Sequence, residues 1–577
     1  MRATTFAVVL LCSCHRGDDV AGPDGGGADA ELPSGAVCPT GANTTSLGAQ
    51  VTLDIDLGQG PLQQQFVGAA VQQPALLPVS DAIYGINNYP ENNYFLNYPK
   101  TQFGLMRWGG DSYSAWNWTT NATNGGADNG FENTNQFMPF SYGSDPQDPA
   151  YHGNPHDTNM GGAMIDGSDS VPAAQARGAA SLVTISVQDY VAATADDQAV
   201  TYAPSADFVA NGAAHASGGA SVYQDDYVEF LATYSQAPIY YELDNEPNYW
   251  KGTHPEVFGT QDLSFDELVS RDVEFATAIK QAAANAVVFG PVVAGIDGMT
   301  SLDDYTNLAA TNPYATMNID AISYYLAHVA TASSQAGLRL LDVLDLHYYN
   351  DSKDKAGTAK TDAECAQGPR DYWDPAYSTV DTSFDDYITG WKPRVLIPRM
   401  EASIAANYAD TKLAFTEYNN GCEQSIGGGV AEADTLGVFG QYGVFAATAW
   451  PLHSAAPGGN WLVGAFDAYR SYDGDGATVG SLAASSISSD VTSVSVYGFV
   501  APNGATGAQV VAINRTDAMV TVEVRLSNAC ALTLAQPYQL TAASAAFTSA
   551  GPPIAITANA FEYPLPAMSV TTFSLTP

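Results

Sequence analysis

Two glutamates stand where apolar, strand-like runs break off. The segment Tyr240-Tyr241-Glu242-Leu243-Asp244-Asn245-Glu246-Pro247 is β-prone until Asn-Glu-Pro stops it. The segment Leu413-Ala414-Phe415-Thr416-Glu417-Tyr418-Asn419 has the same form, and 417 − 246 puts 171 residues between the two acids. A carboxylate at the end of a buried strand is presented to whatever binds there. A pair of them is the minimum equipment for cleaving a glycosidic bond. One must carry a proton near neutral pH, which requires burial or a neighbouring negative charge. The other must stay ionised, which requires donors around it. At a separation of about 5–5.5 Å such a pair acts with retention. Glu242 lies on the same strand as Glu246 but deeper, and reads as a buried structural carboxylate.

The elements that would position these acids alternate between strand and helix. Strands are expected at 181–187, 239–243, 287–291, 341–349, 413–419 and 444–450. Ser264-Phe265-Asp266-Glu267 has the form of a capping box opening a helix with Leu268, Val269, Val273, Ala276 and Ile279 on one face. Further helices are expected near 319–335, ending at Gly337, near 395–408 and near 430–441. Repeated units of this kind favour a closed (β/α)8 barrel, whose chemistry sits at the C-terminal strand ends. Glu246, His347, Glu417 and Trp450 fall at those ends. From about residue 475 helical spacing stops, and short alternating runs such as Val520-Thr521-Val522-Glu523-Val524 read as a β-sandwich. The alternation of Val51, Leu53, Ile55 and Leu57 marks an N-terminal strand that could complete it. The expected fold is α/β: a TIM-like barrel over 81–474, with a β-sandwich from 475–577 completed by strands in 48–80. Residues 141–178 lack periodicity and read as a long loop.

Composition narrows the ligand. The chain has 577 residues, a net charge of −41 and only 20 Lys plus Arg. That excludes nucleic acid, which needs basic patches, and argues against polyanionic glycans. With charged residues at 14%, the surface is mostly neutral and polar, as suits a hydroxyl-rich ligand. Residues 1–14 have the form of a lipoprotein-type signal with Cys14 as the lipid site, followed by a flexible tether over 15–47. The expected location is therefore extracytoplasmic, on the outer surface of a membrane, as a monomer. In an oxidising compartment the remaining cysteines would pair as Cys38–Cys530 and Cys365–Cys422. No zinc motif is present, and no cofactor is expected for catalysis. Asp166-Gly167-Ser168-Asp169 and Asp473-Gly474-Asp475 are acidic enough for a structural calcium but lack a full calcium-loop spacing, so solvated acidic turns are the simpler account.

The motifs taken in order resemble glycoside hydrolase family 44, the endoglucanase and xyloglucanase family. The resemblance rests on Met106-Arg107-Trp108-Gly109-Gly110, Asn117-Trp118, Asp244-Asn245-Glu246-Pro247 with Trp250 and Thr253-His254-Pro255, Val288-Phe289-Gly290-Pro291, Leu341 to His347, Trp373-Asp374-Pro375 and Thr416-Glu417-Tyr418. It implies Glu246 as general acid/base and Glu417 as nucleophile of a retaining endo-β-1,4-glucanase acting on cellulose-type glucan or xyloglucan. Arg107, His347 and Tyr418 are candidates to hold Glu417, and Asn245 to bind a sugar hydroxyl. Tyr349 is a further candidate for substrate contact. Trp108, Trp118, Tyr249, Trp250, Tyr348, Trp373 and Trp450 are candidate sugar platforms, with Trp450 expected beneath the cleaved sugar. All eight tryptophans lie between 108 and 461, which suggests a cleft. The family pattern continues after Gly110 with Asn, where this chain has Asp111. The alternatives are a β-mannanase or mixed-linkage glucanase on the same scaffold, and a non-catalytic surface glycan-binding lipoprotein. The presence of both glutamates speaks against the last.

Overall fold

Eight short runs with both faces buried close into a barrel. The structure, a computed structural model, describes residues 49–58, 76–87, 98–120, 122–129, 131–134, 171–194, 208–215, 221–234, 236–259, 262–302, 312–350, 360–378, 391–451, 460–501, 507–528 and 532–577. The barrel strands, numbered in chain order, are β1 (Gly85–Asn87), β2 (Leu105–Trp108), β3 (Ala180–Ile185), β4 (Ile239–Leu243), β5 (Val287–Ala294), β6 (Val343–Tyr349), β7 (Lys412–Asn419) and β8 (Ala446–Ala449). Each pairs in parallel with the next, and β8 returns to β1 through Thr448 and Gly85. Parallel strands covered on both faces have no solvent side, so their residues are near-continuously buried rather than alternating.

The barrel interior changes character along its axis. Near the N-terminal ends Leu105, Leu182, Phe289, Val343, Ala414 and Ala446 form an apolar floor. Two residues further along several strands the inward positions turn polar: Asn87, Arg107, Thr184, Glu242, Asp345 and Thr448, all buried. The site is built on this polar layer.

Strand β7 breaks its own alternation. Leu346 pairs with Phe415 but His347 pairs with Glu417, so Thr416 is an extra residue, a β-bulge. Thr416 and Glu417 both meet groups of the barrel interior. Tyr418 is thereby sent to the outer face, where its hydroxyl donates to Glu432 at 2.6 Å.

The helices follow their sequence signals closely. Ser264 caps Phe265–Ala282 by accepting from the Glu267 N–H at 3.1 Å. The Glu267 carboxylate pairs instead with Arg271 at 2.9 Å, so only half of the expected reciprocal box is seen there. A full capping box, Thr361 with Glu364, opens the helix Asp362–Gln367. Gly337 in the left-handed region ends Ala321–Ala336. Leu396–Asn407 and Ile426–Tyr442 fall where helices were expected, whereas Trp461–Arg470 had no expected counterpart. Within 141–178, residues 171–178 are described and contain the helix Val171–Ala176, a correction to the reading as loop throughout; the rest of that segment lies outside the described residues. No helix among the described residues is long and apolar enough to cross a membrane.

The second β region is a single hydrogen-bonded path folded into two layers. Leu482–Ser488 is the hinge: Leu482 to Ala484 pair with Val500 to Gly498, and Ser485 to Ser488 pair with Asp56 to Leu53. Strand Val51–Asp56 also runs parallel to Val520–Ser527, so the N-terminal segment completes the sandwich. Phe561 and Phe573 are on strands far apart in the path, yet their ring centroids are 5.1 Å apart across the layers.

Helix Ile426–Tyr442 lies between barrel and sandwich, and all seventeen of its residues are buried. A Cβ on Gly437 would stand 2.3 Å from the Tyr497 ring, so glycine permits the close approach. At this joint Asp434 accepts from Arg515, from Ser495 and, at 2.8 Å, from the Tyr497 hydroxyl. Both charged side chains are fully buried. Removing one partner strands the other charge in an apolar interior. Asp434→Ala should therefore lower unfolding stability by about 3–5 kcal/mol, measured by denaturant titration; a change below about 1 kcal/mol would show that the joint does not depend on the pair.

Candidate active site

At the C-terminal end of the barrel one guanidinium reaches four elements. Arg107 donates through Nε to both oxygens of Glu242 at 2.8 Å. Through Nη1 it reaches Asn87 Oδ1 at 2.9 Å and Glu417 Oε1 at 2.7 Å, and through Nη2 it reaches Asn245 Oδ1 at 2.9 Å. Burial alone would pull this group down, but Glu242 and Glu417 outweigh it and hold its pKa above the ordinary arginine value. Two glycines make the arrangement fit. A Cβ on Gly109 would lie 2.3 Å from the guanidinium carbon, and Gly110, with φ at +99°, leaves only 3.1 Å between its would-be Cβ and the Trp450 ring.

Glu417 is held by donors on both oxygens. Arg107 binds Oε1, and the Tyr349 hydroxyl donates to Oε2 at 2.6 Å. Burial, with Glu417 and Glu246 nearby, pushes the Tyr349 phenol well above its usual value, so it keeps its hydrogen.

Glu246 follows β4 on a strained turn. Asp244 and Glu246 both adopt positive φ, at 63° and 42°, which is uncommon for residues with side chains and clusters at functional sites. The turn is pinned by its backbone. The Asp244 N–H donates to Ile185 O and the Glu246 N–H to Val292 O, each at 3.0 Å. The Val187 N–H donates to Asp244 Oδ2 at 2.6 Å, and the Trp250 indole N–H to Asn245 O at 2.9 Å. Pro247 at the next position starts a short 3-10 turn.

His347, on β6, sits between the two acids. Its Nδ1 is 2.9 Å from Glu246 Oε1 and 3.6 Å from Glu417 Oε2. Burial, aided by Arg107 and opposed by Glu417, pushes its ring down to about 3, so the imidazole is neutral. One oxygen from each glutamate and a ring nitrogen of His347 all lie within 4.8 Å of one another.

Comparison with known proteins bears on the fold and the family. The model of glycoside hydrolase family 44 matches residues 122–352. Endoglucanase A of Paenibacillus lautus is 33% identical over 366 residues, 60% of this chain and 50% of that protein. Beta-mannanase/endoglucanase A of Caldicellulosiruptor saccharolyticus is 32% identical over 379 residues, 62% of this chain and 28% of that protein. The chain thus spans about half or less of the curated relatives it matches. The solved xyloglucanase of Paenibacillus polymyxa superposes with a TM-score of 0.76 at 26% identity, covering 91% of this chain and 99% of that one. Residues 122–352 thus carry the glycoside hydrolase family 44 pattern, and the fold is shared with a solved xyloglucanase of that family.

Within this barrel the expected site residues divide sharply. Arg107, Asn245, Glu246, His347, Tyr349 and Glu417 converge as described, and Glu242 is the buried structural partner of Arg107. Trp450 is half-buried over Gly110 at the end of β8. Tyr418 is not at the site, because the Thr416 bulge turns it outward. Tyr348 is also on the outer face, 3.0 Å from Asp371. Trp108, Trp118, Trp250 and Trp373 are buried in the main core and are not sugar platforms. Trp118 stacks on Tyr227 and Trp250 on Phe258. Tyr249 is half-buried beside Asp297. The tryptophan bias thus reflects barrel packing more than a cleft.

Three residues of the site had gone unassigned in the sequence. Asn87, ending the short β1, binds Arg107 and the backbone of Thr416 at 2.9 Å. Asp111 accepts from Asn245 Nδ2 at 2.9 Å. Thr416 contacts His347 and Asp345. Only Asn87 carried a signal, since it ends an apolar run Ile83-Tyr84-Gly85-Ile86. Cys365 and Cys422 form a disulfide with Cα atoms 6.2 Å apart, tying the helix after β6 to the loop after β7. Cys14, Cys38, Cys530 and Asp166–Asp169 lie outside the described residues. Asp473 accepts from the Asp475 and Ala477 N–H groups, and Asp475 pairs with Lys100 at 2.7 Å, so this acidic turn is satisfied by the protein itself.

Buried carboxyls around the barrel set the pH response. Burial pushes Asp244 up to about 7, against hydrogen bonds that include those from the Val187 and Asn245 N–H groups. Burial likewise pushes Glu432 up to about 8, against the Tyr418 hydroxyl. Both lie above their unfolded values near 4, so across this window the native state holds protons that the unfolded chain has released. Stability from these groups is complete below pH 4 and is lost as pH rises through 7 to 8. The thermal midpoint should therefore be higher at pH 5 than at pH 8, and Glu432→Gln should flatten that slope. A midpoint rising with pH over this interval would contradict the assignment.

Proposed function

We propose that this chain hydrolyses internal β-1,4 bonds of glucan, plain or xylose-branched, by a retaining double displacement. The observation that carries the reading is the apposition of Glu246 and Glu417 within 4.8 Å across His347. That distance belongs with retaining sites, at roughly 5–5.5 Å, and leaves no room for the water an inverting pair needs at roughly 6.5–9.5 Å.

In the first displacement a Glu417 oxygen attacks the anomeric carbon while Glu246 gives its proton to the departing glycosidic oxygen. In the second, Glu246 takes a proton from water. The water oxygen then bonds to the anomeric carbon and the ester to Glu417 breaks. Arg107 and Tyr349 orient Glu417 and hold its charge before attack and after release. Neutral His347 adds no positive charge beside Glu246, consistent with Glu246 starting as the acid. Trp450 offers its ring as a floor for a sugar, by apolar burial of C–H faces. The proposed mechanism draws on groups of one chain and uses no cofactor, and the proposed state is a monomer. The likeness to a β-mannanase/endoglucanase favours β-mannan as the second substrate reading. The proposed place of work is outside the cytoplasm with a lipid on Cys14; the Cys365–Cys422 bond accords with an oxidising compartment.

Reducing-sugar assays on soluble cellulose, xyloglucan, mannan and xylan test the substrate. Glu417→Gln should lower kcat more than about a thousandfold, because no nucleophile remains. Glu246→Gln should cost about 10²–10⁴-fold on substrates with poor leaving groups. Proton NMR of the first product should show the retained anomer; early accumulation of the inverted anomer would refute the mechanism.

A further inference from the structure

A run of hydrogen bonds leads from Glu246 down into the barrel. His347 Nδ1 lies 2.9 Å from Glu246 Oε1, and His347 Nε2 lies 3.2 Å from Thr416 Oγ1. Thr416 Oγ1 is in turn 2.8 Å from both oxygens of Asp345. His347, Thr416 and Asp345 are all fully buried.

Counting hydrogens restricts how this chain can be occupied. It has three links, and each needs one hydrogen between two electronegative atoms. The neutral imidazole brings one and the threonine hydroxyl another. The third must come from a carboxyl at one end, either Glu246 or Asp345. Glu246 could supply it only by turning its acid proton away from the substrate, and could not supply it after giving that proton to a leaving group. Asp345 is under the opposite pressure. Glu242 faces it from β4, and Arg107 on β2, the cation that acts on it, is already bound to Glu242 and Glu417. The Thr416 N–H on β7 donates to Asp345 Oδ1 at 3.2 Å. That makes Oδ1 the acceptor oxygen and leaves Oδ2 to carry a hydrogen.

We propose that Asp345 is a neutral carboxylic acid that donates through Thr416 to His347 Nε2, fixing the imidazole hydrogen on Nδ1, where it points at Glu246. Burial, with Glu242 adding, pushes Asp345 well above the carboxylate range, in agreement with the count. The chain then keeps one direction through both displacements. Protonated Glu246 accepts on Oε1 as a carbonyl and keeps its acid hydrogen on Oε2 for the leaving group. Ionised Glu246 accepts the same hydrogen as a carboxylate. No proton travels along the chain. Asp345 and Thr416 are positioning residues, acting through His347, and their role rests on the reading of Glu246 as proton donor.

Long-range proton–nitrogen correlation spectra of the full chain labelled with ¹⁵N-histidine give the test, with the His347 signal identified by its loss in His347→Gln. The expected result is a neutral ring with its hydrogen on Nδ1, and the same tautomer in Asp345→Asn, whose amide donates as the neutral acid does. Thr416→Val should lower kcat at least tenfold with KM within about threefold, and Thr416→Ser should recover most of that loss. A hydrogen on Nε2 in the unaltered protein, a tautomer change in Asp345→Asn, or a Thr416→Val enzyme keeping more than a tenth of kcat would each overturn the proposal. The spectra need no substrate. A Glu246→Gln enzyme that stayed active would instead overturn the reading of Glu246 and leave the tautomer result standing.

Discussion

The site depends on a guanidinium that cannot leave. Arg107 has no exposed side-chain surface, and a buried charge without partners costs several kcal/mol. It therefore enforces its own surroundings: Glu242 from β4, Asn87 from β1, Asn245 from the turn after β4 and Glu417 from β7 must all come within reach. Closing the barrel and assembling the site are in this respect one event. The Nε contact to both Glu242 oxygens anchors the group deep in the barrel. Nη1 is directed at Glu417, on the side where a ligand can approach.

Local irregularities put the acids at the mouth of this layer. Regular alternation along β7 would send Glu417 to the opposite face from Ala414 and Thr416. The extra residue at Thr416 brings two consecutive side chains inward. The positive φ angles of Asp244 and Glu246 do the equivalent work after β4, and the backbone bonds from Ile185 and Val292 sustain them. Strain at these two places is compensated by the regular core beneath, where Leu105, Leu182, Phe289 and Val343 pack without polar atoms.

This division explains what could be read in the chain. The long strands and helices were legible because periodicity and caps are local: Ile239–Leu243 was expected with those bounds, and Gly337 and Ser264 mark helix ends by their own chemistry. Glu246 and Glu417 were legible because each ends an apolar run. Tyr418 was misplaced because a bulge is set by pairing with the neighbouring strand, and no residue type announces it. The tryptophans misled because a large ring that fills a barrel wall looks the same in sequence as one that stacks on sugar. Asp111 and Thr416 are ordinary polar residues whose role comes only from what the fold brings beside them.

The central claim is that Glu417, held by Arg107 and Tyr349, forms a covalent bond to the sugar. A 2-deoxy-2-fluoro cello-oligosaccharide with a good leaving group should form that ester faster than it loses it, because the fluorine destabilises the cation-like transition states of both steps and the leaving group offsets this only in the first. Mass spectrometry of the peptide digest should then find the fluorosugar on the peptide carrying Glu417, at one label per chain. A label on a different carboxylate, or complete turnover of the reagent with no adduct at any time, would contradict the account.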